Sequence, residues 1–343
     1  MCGLFGFSRY GDKNVTGLTD LTNSLAEQSA IRGTDATGIA FTSSGGINVI
    51  KDSKSAYRMN FKHSDVKALI GHTRHSTQGS EKKNYNNHPF VGKCRNSKFA
   101  LAHNGVLCND RELRKSLHLP KTKIETDSYI AVQLIESKKT MNLESIKYMA
   151  EKTDGSFSYS LLDDENNIYL VKGDSPLSIL HFPKLKMYVY ASTDEILYKA
   201  LVDYQSLFKA LKNGEFEEIN ITEGDILKIC SNGSLEKSKF DYNYYCGRNW
   251  WDFGIKPYHS SVIIQDSYIE DLKSIACYQG FSSETVDKLL NNGFTLEEIE
   301  DYIYEFWEDK SAFNNSQIER KDFLYEVCKN SYFGNNGSYS WFL

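Results

Sequence analysis

The 343-residue chain has no run approaching the roughly 18 consecutive apolar residues that a membrane span requires. Its first residues also lack the basic-then-apolar plan of a secretory leader, so the sequence predicts a cytoplasmic protein with no membrane partner. Seven cysteines (Cys2, Cys94, Cys108, Cys230, Cys246, Cys277 and Cys328) are odd in number, scattered, and never paired as Cys-x-x-Cys. That spacing argues against a disulfide scaffold and a paired zinc site, and predicts reduced thiols and no bound metal or cofactor. Internal repeats and low-complexity segments are absent too, which excludes solenoid and disordered classes. An excess of positive charge is missing: the net charge is −5, and residues 261–330 hold 15 acidic against 6 basic side chains. An acidic tail of this kind argues against a nucleic-acid partner for that region.

What remains is ordinary globular composition, 40% hydrophobic and 25% charged. Short β-rich runs recur at 2–8, 37–42, 46–50, 67–75, 98–103, 156–162, 167–172, 178–181, 187–191 and 225–230. Helical spacing interrupts them: Leu18, Leu21 and Leu25 before Gly33, then segments capped by Thr126, Asn142 and Asp194. The pattern predicts an α+β domain over 1–240 and an aromatic-rich linker over 241–265 that contains Trp250 and Trp251. An acidic helical region follows over 266–343. There a helix from about Ser282 buries Val286, Leu289 and Leu290, and Thr295 with Glu298 forms a capping box.

The chain opens MCGLFGF. If Met1 is removed, Cys2 carries both a thiol and a free α-amine, which together supply a nucleophile and its base. Four later stretches could serve such a pair, although each has a commoner structural use. In IRGTDATGIAF, Arg32 and Asp35 flank a glycine turn. In GHTRHSTQG, strand alternation puts His72, Arg74 and Ser76 on one face and Thr73, His75 and Thr77 on the other. The two histidines then make a poor metal site, while Arg74 can grip a carboxylate or form a structural ion pair. In LAHNGVLCN, Asn104-Gly105 reads either as a hairpin turn or as a pair of oxyanion donors. In IETDSY, Asp127 is either a first-turn acid or a counter-ion for an ammonium group.

Taken together, these stretches resemble the class II glutamine amidotransferases of the N-terminal nucleophile hydrolase superfamily. Met-Cys-Gly, Arg-Gly-x-Asp-x-x-Gly, Gly-His-x-Arg, His-Asn-Gly and Glu-Thr-Asp segments occur in the family's order, and the likeness runs through DGSFSYSLLDD, KGDSPLSI, ASTDE and ITEGDILKI, about residues 2–235. The resemblance implies a four-layer αββα sandwich followed by a small helical region. It also implies Cys2 as nucleophile, Asn104 and Gly105 as oxyanion donors, and Arg74 and Asp127 as the clamp on L-glutamine. Thr77 and His103 would lie beside the substrate, and Arg32 and Asp35 would support the site. His75, Ser76, Thr77 and Gln78 depart from the Trp-Ala-Thr-His of the aminosugar synthases; the Ser-Thr portion looks more like the phosphoribosylpyrophosphate amidotransferases. The second half shows no P-loop and no Ser-Gly-Gly-x-Asp loop, so the expected partner is a separate synthase that accepts ammonia, and self-association stays open. Two other readings remain: a γ-glutamyl amide hydrolase that channels no ammonia, and a silent binding module on the same fold.

Overall fold

A computed structural model describes residues 2–11, 17–43, 46–63, 66–242 and, beyond these, Ile269, Leu272, Lys273, Ala276, Cys277, Ser282, 284–291, Phe294, Leu296 and Ile299. Contacts divide the chain into two compact units, residues 1–247 and 248–343.

The first unit is built on two antiparallel sheets. Strands β1 (Gly3–Arg9), β2 (Ala36–Ser43), β3 (Gly46–Asp52), β4 (Ala68–Arg74), β9 (Ser178–Phe182), β10 (Met187–Ala191) and β11 (Glu217–Glu218) form one, in the order β11-β9-β10-β1-β4-β2-β3. Strands β5 (Phe90–Lys93), β6 (Lys98–Leu107), β7 (Gly155–Asp163), β8 (Ile168–Lys172), β12 (Asp225–Ile229) and β13 (Leu235–Lys239) form the other, in the order β13-β12-β8-β7-β6-β5. Leu4, Ala40, Ala68, Ile70, Ala100, Ala102, Leu162 and Leu170 meet in a core shared by strands of both sheets. Helices α1 (Leu18–Ser29) and α5 (Asp194–Val202) contact each other and the first sheet; α3 (Tyr129–Ser137) and α4 (Leu143–Lys152) do the same on the second. Phe99, Leu101, Ile130, Leu134, Ile146, Phe157 and Tyr159 fill the core under that second helix pair. Because β1 is covered on both faces, all seven of its residues are buried, and its first five, Gly3 to Phe7, carry no polar side chain. The layers are α, β, β and α.

Local expectations meet the structure unevenly. Asn142 does cap α4, accepting from the Ser145 N–H at 2.9 Å. The caps expected at Thr126 and Asp194 fall elsewhere: α3 begins at Tyr129, and Thr193 caps α5. Helices α2 (Asp110–Ser116) and α6 (Gln205–Lys212), with β5, β11 and β13, have no counterpart in the sequence reading, being short or weakly apolar. The expectation of reduced thiols fails at Cys108, which is disulfide-bonded; Cys2, Cys94, Cys230 and Cys277 are free.

In the second unit, α7 (Glu284–Asn291) presents Val286 and Leu289 to a small apolar cluster with Leu272, Ala276, Phe294 and Ile299. The linker with Trp250 and Trp251 and the Thr295–Glu298 capping box lie outside the described residues. Among the described residues, no helix is long and apolar enough to cross a membrane. No group of three or more His, Cys, Asp or Glu side chains is placed there to hold a metal ion.

Candidate active site

Cys2 immediately precedes β1, which lies between β4 and β10. Gly3 pairs with Thr73, and a Cβ on Gly3 would come within 2.5 Å of Thr73 Oγ1 and 3.0 Å of the Ser29 carbonyl, so only glycine fits behind the cysteine. Half-buried, the thiol sits 3.4 Å from the His75 N–H and 3.5 Å from the His75 carbonyl. Burial raises its pKa above the ordinary 9.0, against the pull of the His75 backbone and the Arg74 charge.

The Arg-Gly turn braces this corner. Arg32 Nε donates to the Cys2 carbonyl at 2.9 Å, and Asp35 accepts from the Ser76 N–H at 2.7 Å. A Cβ on Gly33 would press to within 2.4 Å of the Arg74 backbone, so this glycine allows close approach of two chain segments. Arg32 and Asp35 thus fix the backbone on either side of Cys2.

Strand β4 ends at Arg74, so the expected alternation holds for His72 and Arg74 but not for Ser76, which lies in the following loop. Arg74 is buried and donates to Asn87 Oδ1 at 2.7 Å and to the Gln78 and Gly79 carbonyls, each at 2.8 Å. Its guanidinium carries five N–H groups, so donors remain for a ligand carboxylate. Burial lowers its pKa, while Cys2, Glu81, Asp127 and Asp35 oppose that shift. The loop after β4 is latched by the Glu-Thr-Asp stretch. Gln78 Nε2 donates to the Glu125 carbonyl, and the Glu125 carboxylate takes Asn86 Nδ2, both at 2.9 Å, and pairs with Lys83. Thr77 is exposed on that loop.

Asn104 and Gly105 do not form a turn. They continue β6, paired with Ser158 and Phe157 of β7. Ala100 and Ala102 face the inter-sheet core while Leu101 faces the helices, so alternation places Asn104 between the sheets. The Asn104 side chain is 1% exposed, and its Nδ2 has no protein partner. Gly105 has φ of 136°, and a Cβ there would lie 2.0 Å from the Ser156 carbonyl, so glycine is required. Asp127 accepts from the Leu107 N–H at 2.7 Å, tying the end of β6 to the segment before α3.

His103, expected beside the substrate, is buried next to the segment that carries Asp127. On the helix side of β6, it stacks on Tyr159 at 4.7 Å and bonds Ser128 Oγ at 2.8 Å. Burial lowers its pKa although Asp127 pulls the other way.

Sequence reading missed several residues here. Asn87 holds Arg74, while Lys51 Nζ donates to the carbonyls of Asn87 and Pro89. Burial, with a smaller push from Arg74, lowers the Lys51 pKa to about 8. The His88 and His72 rings lie 4.1 Å apart, and burial lowers the pKa of both. The one available signal was the polar run NYNNHP before an apolar strand. A cavity of about 350 Å³ elsewhere in this unit, lined in part by Glu144, Asp163, Asp164 and Lys228, includes none of these residues.

Comparison with known proteins supplies the context. Residues 72–199 match the family described as "Glutamine amidotransferase domain". Glutamine–fructose-6-phosphate aminotransferase (isomerizing) of Bacillus licheniformis is 34% identical over 191 residues, covering 52% of this chain and 30% of that protein. The enzyme of the same name from Sulfurisphaera tokodaii is 30% identical over 189 residues, covering 52% and 31%. The chain thus spans about 30% of the length of these relatives. Among solved structures, the glutamine phosphoribosylpyrophosphate amidotransferase of B. subtilis superposes with a TM-score of 0.53 at 21% identity, covering 71% of this chain and 50% of that one, a likeness of fold. The first unit thus has the four-layer fold of such an amidotransferase, with Cys2 opening a central strand, and residues 72–199 match a glutamine amidotransferase domain.

Proposed function

We propose that the first unit hydrolyses the side-chain amide of L-glutamine and passes the ammonia to an acceptor on a separate protein. With Met1 removed, the Cys2 α-amine takes the thiol proton as Sγ attacks the amide carbon, forming a C–S bond and a tetrahedral oxyanion. Asn104 Nδ2 and the Gly105 N–H stabilise that oxygen. The ammonium of Cys2 then protonates the leaving nitrogen, the C–N bond breaks, and ammonia departs from a glutamyl thioester. Water attacks the thioester, returning the thiol and releasing glutamate. Arg74, through its remaining donors, and Asp127 bind the α-carboxylate and α-ammonium, two opposite charges that select a free amino acid over a simple amide.

The observation that carries this reading is the Asn104 amide. A buried donor without a protein partner costs about 1–3 kcal/mol, and this one lies beside Gly105 on the same strand, where a reacting oxygen would complete it.

The test is intact mass spectrometry before and after exposure to 6-diazo-5-oxo-norleucine, with Cys2→Ala as control. Loss of Met1 and a single adduct that disappears in the control are expected. A processed protein that takes no adduct would refute the reading.

A further inference from the structure

The proposed nucleophile and oxyanion donors belong to different sheets. Cys2 opens β1 of the first, and Asn104 and Gly105 lie on β6 of the second. Their separation therefore depends on how the two sheets are held together at this end.

His72 bridges them. It lies on β4, paired with Leu4 two residues from the nucleophile, and its side chain shares the inter-sheet face with Ala68 and Ile70. Its Nε2 lies 2.9 Å from the carbonyl oxygen of His103 in the opposite sheet. That carbonyl belongs to the peptide plane leading directly into Asn104. Since a carbonyl only accepts, Nε2 must carry the proton and Nδ1 must be bare. Ring burial is complete, and the tilted His88 ring packs against it at 4.1 Å. The Leu107 N–H bond to Asp127 holds the segment just beyond, so the strand is fixed on both sides of the oxyanion donors.

We propose that His72 is a positioning residue whose cross-sheet hydrogen bond sets the distance between the Cys2 thiol and the Asn104–Gly105 donors. The role rests on the glutaminase reading. It differs from ordinary core filling because a bond to one peptide plane requires a donor at one atom, whereas core filling requires only volume.

The test uses the full chain carrying His72→Gln, which keeps a donor near the Nε2 position, and His72→Leu, which keeps bulk without one. In His72→Leu, kcat for glutamine hydrolysis should fall about 100-fold, the usual effect of an ångström-scale misplacement, with KM within about threefold. Iodoacetamide should still alkylate Cys2 at the wild-type rate, and His72→Gln should recover most of the kcat. A folded His72→Leu variant with normal kcat, or a Gln variant no better than Leu, overturns the proposal. Side-chain nitrogen NMR of the wild type tests the bond without turnover: a proton on Nδ1 in place of Nε2 overturns the tie itself. A wild type with the expected tautomer that releases no ammonia overturns the glutaminase reading and the catalytic role resting on it, leaving the hydrogen bond intact.

Discussion

At the scale of single residues, the site is a set of groups held short of full satisfaction. Asn104 has a buried amide with no protein partner, and Arg74 spends only part of its donors on the loop that covers it. Replacing Asn104 by Ala should lower kcat by about 10²–10³-fold with little change in KM, measured as glutamate release, because the lost bond forms fully only in the transition state. Lys51 makes a different prediction. Its folded pKa of about 8 lies below the unfolded value near 10.5, so the unfolded chain binds more protons between these limits and stability rises with pH. Relative to Lys51→Met, the wild type should gain up to about 3 kcal/mol between pH 7.5 and 10.5, read from urea unfolding at each pH. A flat difference across that range would show that Lys51 is fully solvated.

At the scale of elements, β6 and the loop after β4 shape the site. The Asn104-Gly105 pair carries a strong turn signal, yet the chain runs through it as strand, because β7 supplies partners on both sides and glycine tolerates the φ of 136°. Gly105→Ala should therefore cost about 1–3 kcal/mol from backbone strain alone, before its contact with the Ser156 carbonyl is counted, and should reduce labelling of Cys2 by the diazo-ketone. The loop depends on Glu125. Removing its carboxylate in Glu125→Ala takes away one Asn86 bond and the Lys83 ion pair while the Glu125 backbone bonds remain, so KM for glutamine should rise only about two- to threefold with a smaller effect on kcat, in steady-state assays. What the sequence disclosed at this scale followed from chain-local chemistry: the Cys2 terminus, the Arg32–Asp35 turn, and the apolar alternation that places His72 and Arg74 together. His72, Asn87 and Glu125 acquire their roles through bonds that span 31, 13 and 39 residues, and no short-range pattern encodes such partners. For the related reason, the His-Asn-Gly motif names His103 without saying which side of its strand the ring takes; here it is the helix side.

At the scale of the molecule, the first unit has two closed cores of its own, and its sheets and helices find their partners within residues 1–247. Expressed alone, that span should unfold in one cooperative transition by circular dichroism and retain Cys2 labelling; loss of either would mean that residues 248–343 complete the fold. Between the sheets, Ala102 stands two residues before Asn104 on β6, one of the smallest side chains in a core it shares with Leu4 and Ile70. Its methyl group acts as a shim under one half of a proposed catalytic apparatus. A core packed at crystalline density transmits an added methylene as a shift of its walls, so a change as mild as Ala102→Val would retune turnover without touching glutamine. Selection on rate would then reach a residue that no substrate meets, and variation at Ala102 would read as adjustment of the chemistry.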